Sequence, residues 1–129
     1  MIENKKIYAI IPARGGSKGI PKKNIIDFDG HPLIYHSIDF AKKSKFVDEV
    51  IVSTDSHEIK TIAEKYHVNI LSRPENISKD DSSTELAIKH MINELSINSN
   101  SIIVLLQPTS PIRPIGALDK MLVDFVNGN

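Results

Sequence analysis

Four runs of apolar, largely β-branched residues punctuate the chain: IYAII (Ile7 to Ile11), EVIVS (Glu49 to Ser53), VNIL (Val68 to Leu71) and SIIVLL (Ser101 to Leu106). Their length and composition predict strands, and the first and last, which lack polar alternation, predict strands buried on both faces. Between them apolar residues recur at helical spacing. Ile34, Ile38 and Ala41 make a partial stripe; Ile59, Ile62, Ala63 and Tyr66 fall at i, i+3, i+4 and i+7, as do Ile88, Met91, Ile92 and Leu95, and then Leu118, Met121, Leu122 and Phe125. Strand and helix thus alternate, with crossovers long enough for a helix. That order predicts an α/β protein with a mostly parallel sheet covered on both faces. There is no internal repeat, heptad run or low-complexity linker, and residues 1–129 read as a single domain.

In an open parallel sheet, ligands bind beyond the carboxyl ends of the strands, near the point where strand order reverses. Four loops lie on that rim: Pro12 to Asn24, Ser53 to His57, Arg73 to Ser83, and Gln107 to Pro114. Nearly every unusual polar cluster in the sequence falls on this one edge.

Charge sharpens the picture. Sixteen basic and sixteen acidic residues cancel, so no global field draws the chain to nucleic acid or to a membrane, and an anion site must be built locally. The cluster Arg14, Lys18, Lys22 and Lys23 is therefore informative. Cysteine is absent, which removes disulfides, thiolate metal sites and cysteine nucleophiles and fits a reducing, cytoplasmic setting. The apolar stretch near the N-terminus is too short for a signal core, and no segment approaches membrane-spanning length.

In IPARGGSKGIPKKN, Gly15, Gly16 and Gly19 permit positive φ and close backbone approach. Successive N–H groups can then converge on phosphate oxygens while Arg14, Lys18 and Lys23 neutralise them. A triphosphate fits that charge. The spacing matches neither G-x-G-x-x-G nor the Walker pattern, and the bland alternative is a glycine turn with solvated lysines. In STDSHE, Asp55 reads as a helix N-cap with Glu58 completing a capping box; the other use of a carboxylate there is to meet Mg2+ or a substrate hydroxyl. Arg73, held extended by Pro74, offers a planar fork to a base, a phosphate or a carboxylate, or is a surface arginine. Asp80 to Thr84 supplies several N-cap candidates. LLQPTSPIRP carries Gln107, Thr109, Ser110 and Arg113 on a proline-stiffened segment, donors and acceptors suited to a polyhydroxylated or amide-bearing ligand; a rigid turn entering a helix explains the prolines but not Gln107. The five histidines lack metal-ligand spacing and read as solvated or helix-surface residues, and no nucleophilic triad stands out.

Taken in order and at these separations, IPARGGSKGIPKKN, VSTDS, SRPENISKDDSS and LLQPTSPIRP resemble the acylneuraminate cytidylyltransferases, or CMP-sialic acid synthetases, from about Ile7 to Leu122. The resemblance implies a three-layer α/β/α, Rossmann-like nucleotidyltransferase fold that joins CTP to a nine-carbon acidic sugar and releases pyrophosphate, with Mg2+ as cofactor. It implies triphosphate contacts at Arg14, Ser17 and Lys23, with Ala13, Gly15, Gly16, Lys18 and Asn24 in the same loop. Arg73 and the Asp80 to Thr84 segment, including Ser82 and Ser83, are implied to frame the cytosine and ribose, and Gln107, Thr109 and Ser110 the sugar-side wall. Arg14 and Lys23 are expected to act as electrostatic catalysts, with the general base unassigned. The family's magnesium carboxylates and later strands are expected beyond residue 129. The chain is accordingly read as an N-terminal portion with much of the nucleotide half-site, an incomplete metal site, and exposed apolar faces that favour self-association or a homo-oligomer. The alternatives are a non-catalytic nucleotide-binding module and a cytidylyltransferase for legionaminic, pseudaminic or 3-deoxy-octulosonic acid.

Overall fold

The computed structural model describes residues 1–13, 27–28, 30–72, 84–107 and 116–128. In chain order the elements are β1 (Ile7–Pro12), β2 (Asp27–Phe28), β3 (His31–Pro32), α1 (Leu33–Lys42), β4 (Glu49–Thr54), α2 (His57–Glu64), β5 (Asn69–Ser72), α3 (Thr84–Leu95), β6 (Ile102–Leu105) and α4 (Ala117–Val126).

The apolar run IYAII forms β1 because both its faces and both its edges find partners. β4 lies on one side, with Ile10 opposite Ile51, and β6 on the other, with Ala9 opposite Val104. With β5 outside β4, the four strands are all parallel in the order β5-β4-β1-β6. Alternate residues of β1 then serve two cores. Ile7, Ala9 and Ile11 pack with Ile34, Ile38 and Ala41 of α1, Ile59 and Ala63 of α2, and Leu118 and Leu122 of α4. Tyr8 and Ile10 pack on the other face with Ile51 and with Met91 of α3. The result is the expected three-layer α/β arrangement.

Right-handed crossovers explain the division of helices. From β1 to β4 to β5 the chain steps one way across the sheet, with α1 and α2 on one face. It then returns past β1 to reach β6, and a right-handed connection in that reversed direction needs its helix, α3, on the opposite face. The reversal of strand order therefore falls between β1 and β6.

Five details differ from the sequence expectations. β5 starts at Asn69 rather than Val68. β6 is not buried on both faces: Leu105 is 38 % exposed, because among the described residues β6 is the end of the sheet and has one neighbour, β1. On α4 only the Leu118 and Leu122 side meets the sheet, so Met121 and Phe125, assigned to the same apolar stripe, stand in solvent. A small antiparallel ladder also precedes α1, pairing Asp27 with Pro32 and Phe28 with His31 around Gly30, whose φ of +85° is open to glycine at little cost. Of the histidines, His90 departs from a solvated surface role, since its side chain is 14 % exposed and its Nε2 lies 3.8 Å from Glu94. No helix among the described residues is long and apolar enough to cross a membrane.

Side-chain tethers lock the ends of the elements together. Asp119, in the first turn of α4, accepts from Ser44 Oγ at 2.5 Å and from the Lys45 N–H just beyond α1. At the amino-terminal edge of the sheet, Asp48 accepts from the Ile7 N–H at 2.7 Å and pairs with the Met1 ammonium at 3.0 Å, while its own N–H donates to the Ile7 carbonyl at 2.8 Å. Partial burial pushes the Asp48 carboxyl up, but the Ile7 N–H, the Met1 ammonium and Lys6 outweigh it and hold the group below its ordinary value of 3.8. A carboxylate depressed in the folded state stabilises the fold above its unfolded-state value and loses that contribution as pH falls through the folded value. Asp48→Asn is expected to lower the unfolding free energy at neutral pH, and denaturant titrations should show the gap to the native chain closing as pH drops below about 4.

Candidate active site

All four main strands end on one edge, and the register brings their last residues together. Pro12 pairs with Ser53, and Ala13, one residue beyond β1, still donates its N–H to the Ser53 carbonyl at 2.9 Å. On the other side the Leu106 N–H donates to the Ile10 carbonyl at 3.0 Å, so Gln107 leaves the sheet beside the end of β1. Thr54 pairs with Ser72 at the end of β5. Ala13, Thr54, Ser72 and Gln107 are thus the roots of the four rim loops, and those of the first and fourth flank the point where strand order reverses.

Each root is held by chemistry visible at residue level. Ala13 is buried and its amide is taken up by the sheet, which sets the direction in which the chain departs toward Arg14. Gln107 has an exposed side chain, while its carbonyl accepts a hydrogen bond from Ser37 Oγ at 3.3 Å. Ser37 is fully buried on α1. It occupies the i+3 position of the Ile34, Ile38, Ala41 stripe, and a hydroxyl on the core side of a helix is the sequence signal that marks it as a tether.

The start of α2 corrects one expectation. Ser56, not Asp55, is the N-cap: its Oγ accepts from the Ile59 N–H at 3.2 Å. The buried Thr54 hydroxyl accepts from the Ser56 N–H at 3.0 Å, turning the chain so that the helix starts one residue later than the D-x-x-E spacing indicated. Asp55 is left exposed before the cap, and Glu58 sits in the first helical turn, where the helix dipole favours a negative charge.

Of the candidate site residues, Ala13 and Gln107 lie among the described residues, at adjacent strand ends. Arg14, Gly15, Gly16, Ser17, Lys18, Lys23, Asn24, Arg73, Ser82, Ser83, Thr109 and Ser110 lie outside them. Among the described residues no group of three His, Asp or Glu side chains is arranged to hold a metal ion. A cleft of about 400 Å3 opens at the opposite edge of the sheet beside Lys42, Asp48, Glu49, His67 and Asn69. Its charges serve the fold: Lys6 pairs with Glu49 at 3.2 Å, Asp48 tethers the N-terminus, and Lys42 donates to the Tyr66 carbonyl.

A parallel sheet whose strand order reverses beneath clustered loop roots is the doubly wound α/β class of domain, in which ligands bind at the reversal. The solved structure of a CMP:2-keto-3-deoxy-manno-octonic acid synthetase complexed with CTP superposes with a TM-score of 0.81 at 22% identity, covering 96% of this chain and 48% of that one. The family model described as cytidylyltransferase matches residues 8–129, and the chain belongs to that family. Among curated relatives, the N-acylneuraminate cytidylyltransferase of Escherichia coli O18:K1:H7 is 45% identical over 109 residues, 84% of this chain and 25% of that protein. The pseudaminic acid cytidylyltransferase of Campylobacter jejuni serotype O:23/36 is 43% identical over 125 residues, 94% of this chain and 53% of that protein. The chain spans between a quarter and about half of the length of these relatives.

Ser56→Ala is expected to cost about 1 kcal/mol of stability in urea titrations, and Ser56→Asp to retain most of it, because a carboxylate caps the same amide. Ser37→Ala, which removes the donor to the Gln107 carbonyl, is expected to cost a further amount on the order of 1 kcal/mol in the same measurement.

Proposed function

We propose that the rim holds the triphosphate of CTP and that the protein is a cytidylyltransferase, moving CMP from CTP to a nine-carbon acidic sugar of the N-acylneuraminate type. The observation that carries this is the register at the carboxyl edge, where Ala13 and Gln107 emerge side by side at the strand-order reversal. The glycine- and lysine-rich segment begins one residue beyond the first root, and Pro-Thr-Ser follows the second. Family membership supports the nucleotide, and relatives named for N-acylneuraminate and pseudaminic acid support an acidic sugar as acceptor.

In this proposal the anomeric hydroxyl oxygen of the sugar attacks the α-phosphorus in line. An oxygen–phosphorus bond forms, the bond from the α-phosphorus to the α–β bridging oxygen breaks, and pyrophosphate leaves with the electron pair. The hydroxyl proton passes to a base not assigned among these residues. Arg14 and Lys23, with Lys18 beside them, stabilise charge building on the phosphate oxygens; permanently charged groups do that without acting as bases. Backbone N–H groups at Gly15, Gly16 and Ser17 and the Asn24 amide orient the triphosphate. Arg73, Ser82 and Ser83 frame the base and ribose, and Gln107, Thr109 and Ser110 meet the sugar. A divalent cation, Mg2+ by the chemistry of triphosphates, belongs to the same proposal. The described residues do not by themselves form a cage for it, and no step is assigned to it. The proposal treats residues 1–129 as one nucleotidyltransferase domain and, from the absence of cysteine, sets it in the cytoplasm.

Titration calorimetry of the chain with CTP, with and without Mg2+, tests the nucleotide half. Binding is expected, weakening as salt is raised, and Arg14→Ala or Lys23→Ala should each reduce affinity by about tenfold or more. Incubation with CTP, sialic acid and Mg2+ then reports transfer through CMP-sugar and pyrophosphate. Binding without transfer favours the nucleotide-binding module, and failure to bind CTP contradicts the proposal.

A further inference from the structure

Helix α1 begins without a side-chain cap. Its N-cap is Pro32, whose ring offers no acceptor to the first-turn amides, so another contact must set the angle at which the chain enters the helix. That role falls to the residue before the cap. The His31 ring lies on the Tyr35 ring in the first turn of α1, with centroids 4.0 Å and planes 24° apart, in the manner of a staple that joins the residue preceding a cap to the helix it enters. Tyr35 is backed in turn. The Tyr66 ring, just beyond α2, is 5.0 Å away, and Lys42 of α1 donates to the Tyr66 carbonyl. His31 is exposed whereas Tyr35 and Tyr66 are half-buried, so the imidazole is the outermost layer of a platform shared by α1 and α2.

His31 also belongs to β3, where it pairs with Phe28. The β2–β3 ladder stands apart from the four-stranded sheet and has 2 residues in each strand, too few to hold its place by backbone bonds alone. Residues 14–26, with Arg14, Lys18, Lys22 and Lys23, run from Ala13 to this ladder. The sheet fixes one end of that segment at Ala13, and the other end is fixed only as well as the ladder is. We propose that His31 is a positioning residue for nucleotide binding: its stack on Tyr35 holds the far end of the cationic segment against α1, the helix whose Ser37 holds the Gln107 carbonyl. The inference rests on the triphosphate reading of the rim and adds to it a residue that acts through the segment, not on the substrate. A segment with both ends fixed has less freedom left to lose when a ligand orders it, so the stack favours binding by preorganisation. His31 lies outside both cores, which leaves this contact as the visible use of its ring.

Titration calorimetry of the full chain with CTP tests it, with thermal unfolding as the check that each variant is folded at the assay temperature. His31→Ala should raise the Kd for CTP about three- to tenfold, the range that an aromatic pair is worth, and His31→Phe, which keeps a ring on Tyr35, should bind within about twofold of native. Proton NMR reads the stack itself: the His31 ring protons should lie upfield in the native chain and lose that shift in Tyr35→Ala. Because His31 is exposed, its two variants leave both cores intact and decide the matter even if Tyr35→Ala fails to fold. Failure of the native chain to bind CTP overturns this proposal together with the reading it rests on. If the native chain binds, a His31→Ala variant that melts earlier yet binds CTP as tightly as native has lost only a structural contact, and that result overturns this proposal alone. So does a His31→Phe variant as weak as His31→Ala, which would put the effect in an imidazole hydrogen bond and not in the stack.

Discussion

The structure depends on the enclosure of β1. Ile7, Ile10 and Ile11 are wholly removed from solvent, and each such side chain contributes on the order of 2 kcal/mol relative to exposure. β1, like β4, has parallel neighbours on both edges, so most of its backbone groups are committed to the ladders. A strand held this way cannot slip in register without turning Ile10 and Ile11 to the wrong cores. Its last residues are therefore positioned by the whole sheet, and the segment that begins at Arg14 starts from a fixed point.

That fixed point matters because the chain has no net charge with which to attract an anion. Binding a triphosphate then has to come from local cations and amides brought together by topology. The strand order reverses between β1 and β6, and the Ser37 to Gln107 hydrogen bond ties the residue at the end of β6 to α1. The rim and the exposed face of α4 belong to different parts of this plan. The first is set by strand ends, the second by a helix that uses half of its apolar stripe.

Much of this was legible in the sequence where burial alone decides the outcome. IYAII, EVIVS and the Ile34, Ile38, Ala41 stripe became β1, β4 and α1 because apolar periodicity is what the core reads. The α/β class followed from alternation. The failures fall where periodicity is silent. SIIVLL has the composition of a central strand, but composition carries no information about how many neighbours a strand will have, and β6 lies at the end of the described sheet. Met121 and Phe125 fit the helical period yet face water, because the period says which side chains align and not how wide the contact is. The cap moved from Asp55 to Ser56 through one hydroxyl, Thr54, whose hydrogen bond to the next turn has no signature at the level of spacing. At the rim, Gln107 stands out by its place in LLQPTSPIRP, whereas Ser37 reads from spacing only as a gap in a stripe, although a buried hydroxyl in that position needs an acceptor.

The central claim is that the carboxyl edge of the sheet, and not the polar cleft at its amino-terminal edge, receives the nucleotide. Backbone amide NMR of the labelled chain during titration with CTP addresses it most directly. The account predicts that shifts concentrate at Ala13, Thr54, Ser72 and Gln107 and in the segments that follow them, with Asp48, Glu49 and Asn69 unmoved. Shifts centred on the amino-terminal edge, or on the outer face of α4, would contradict it.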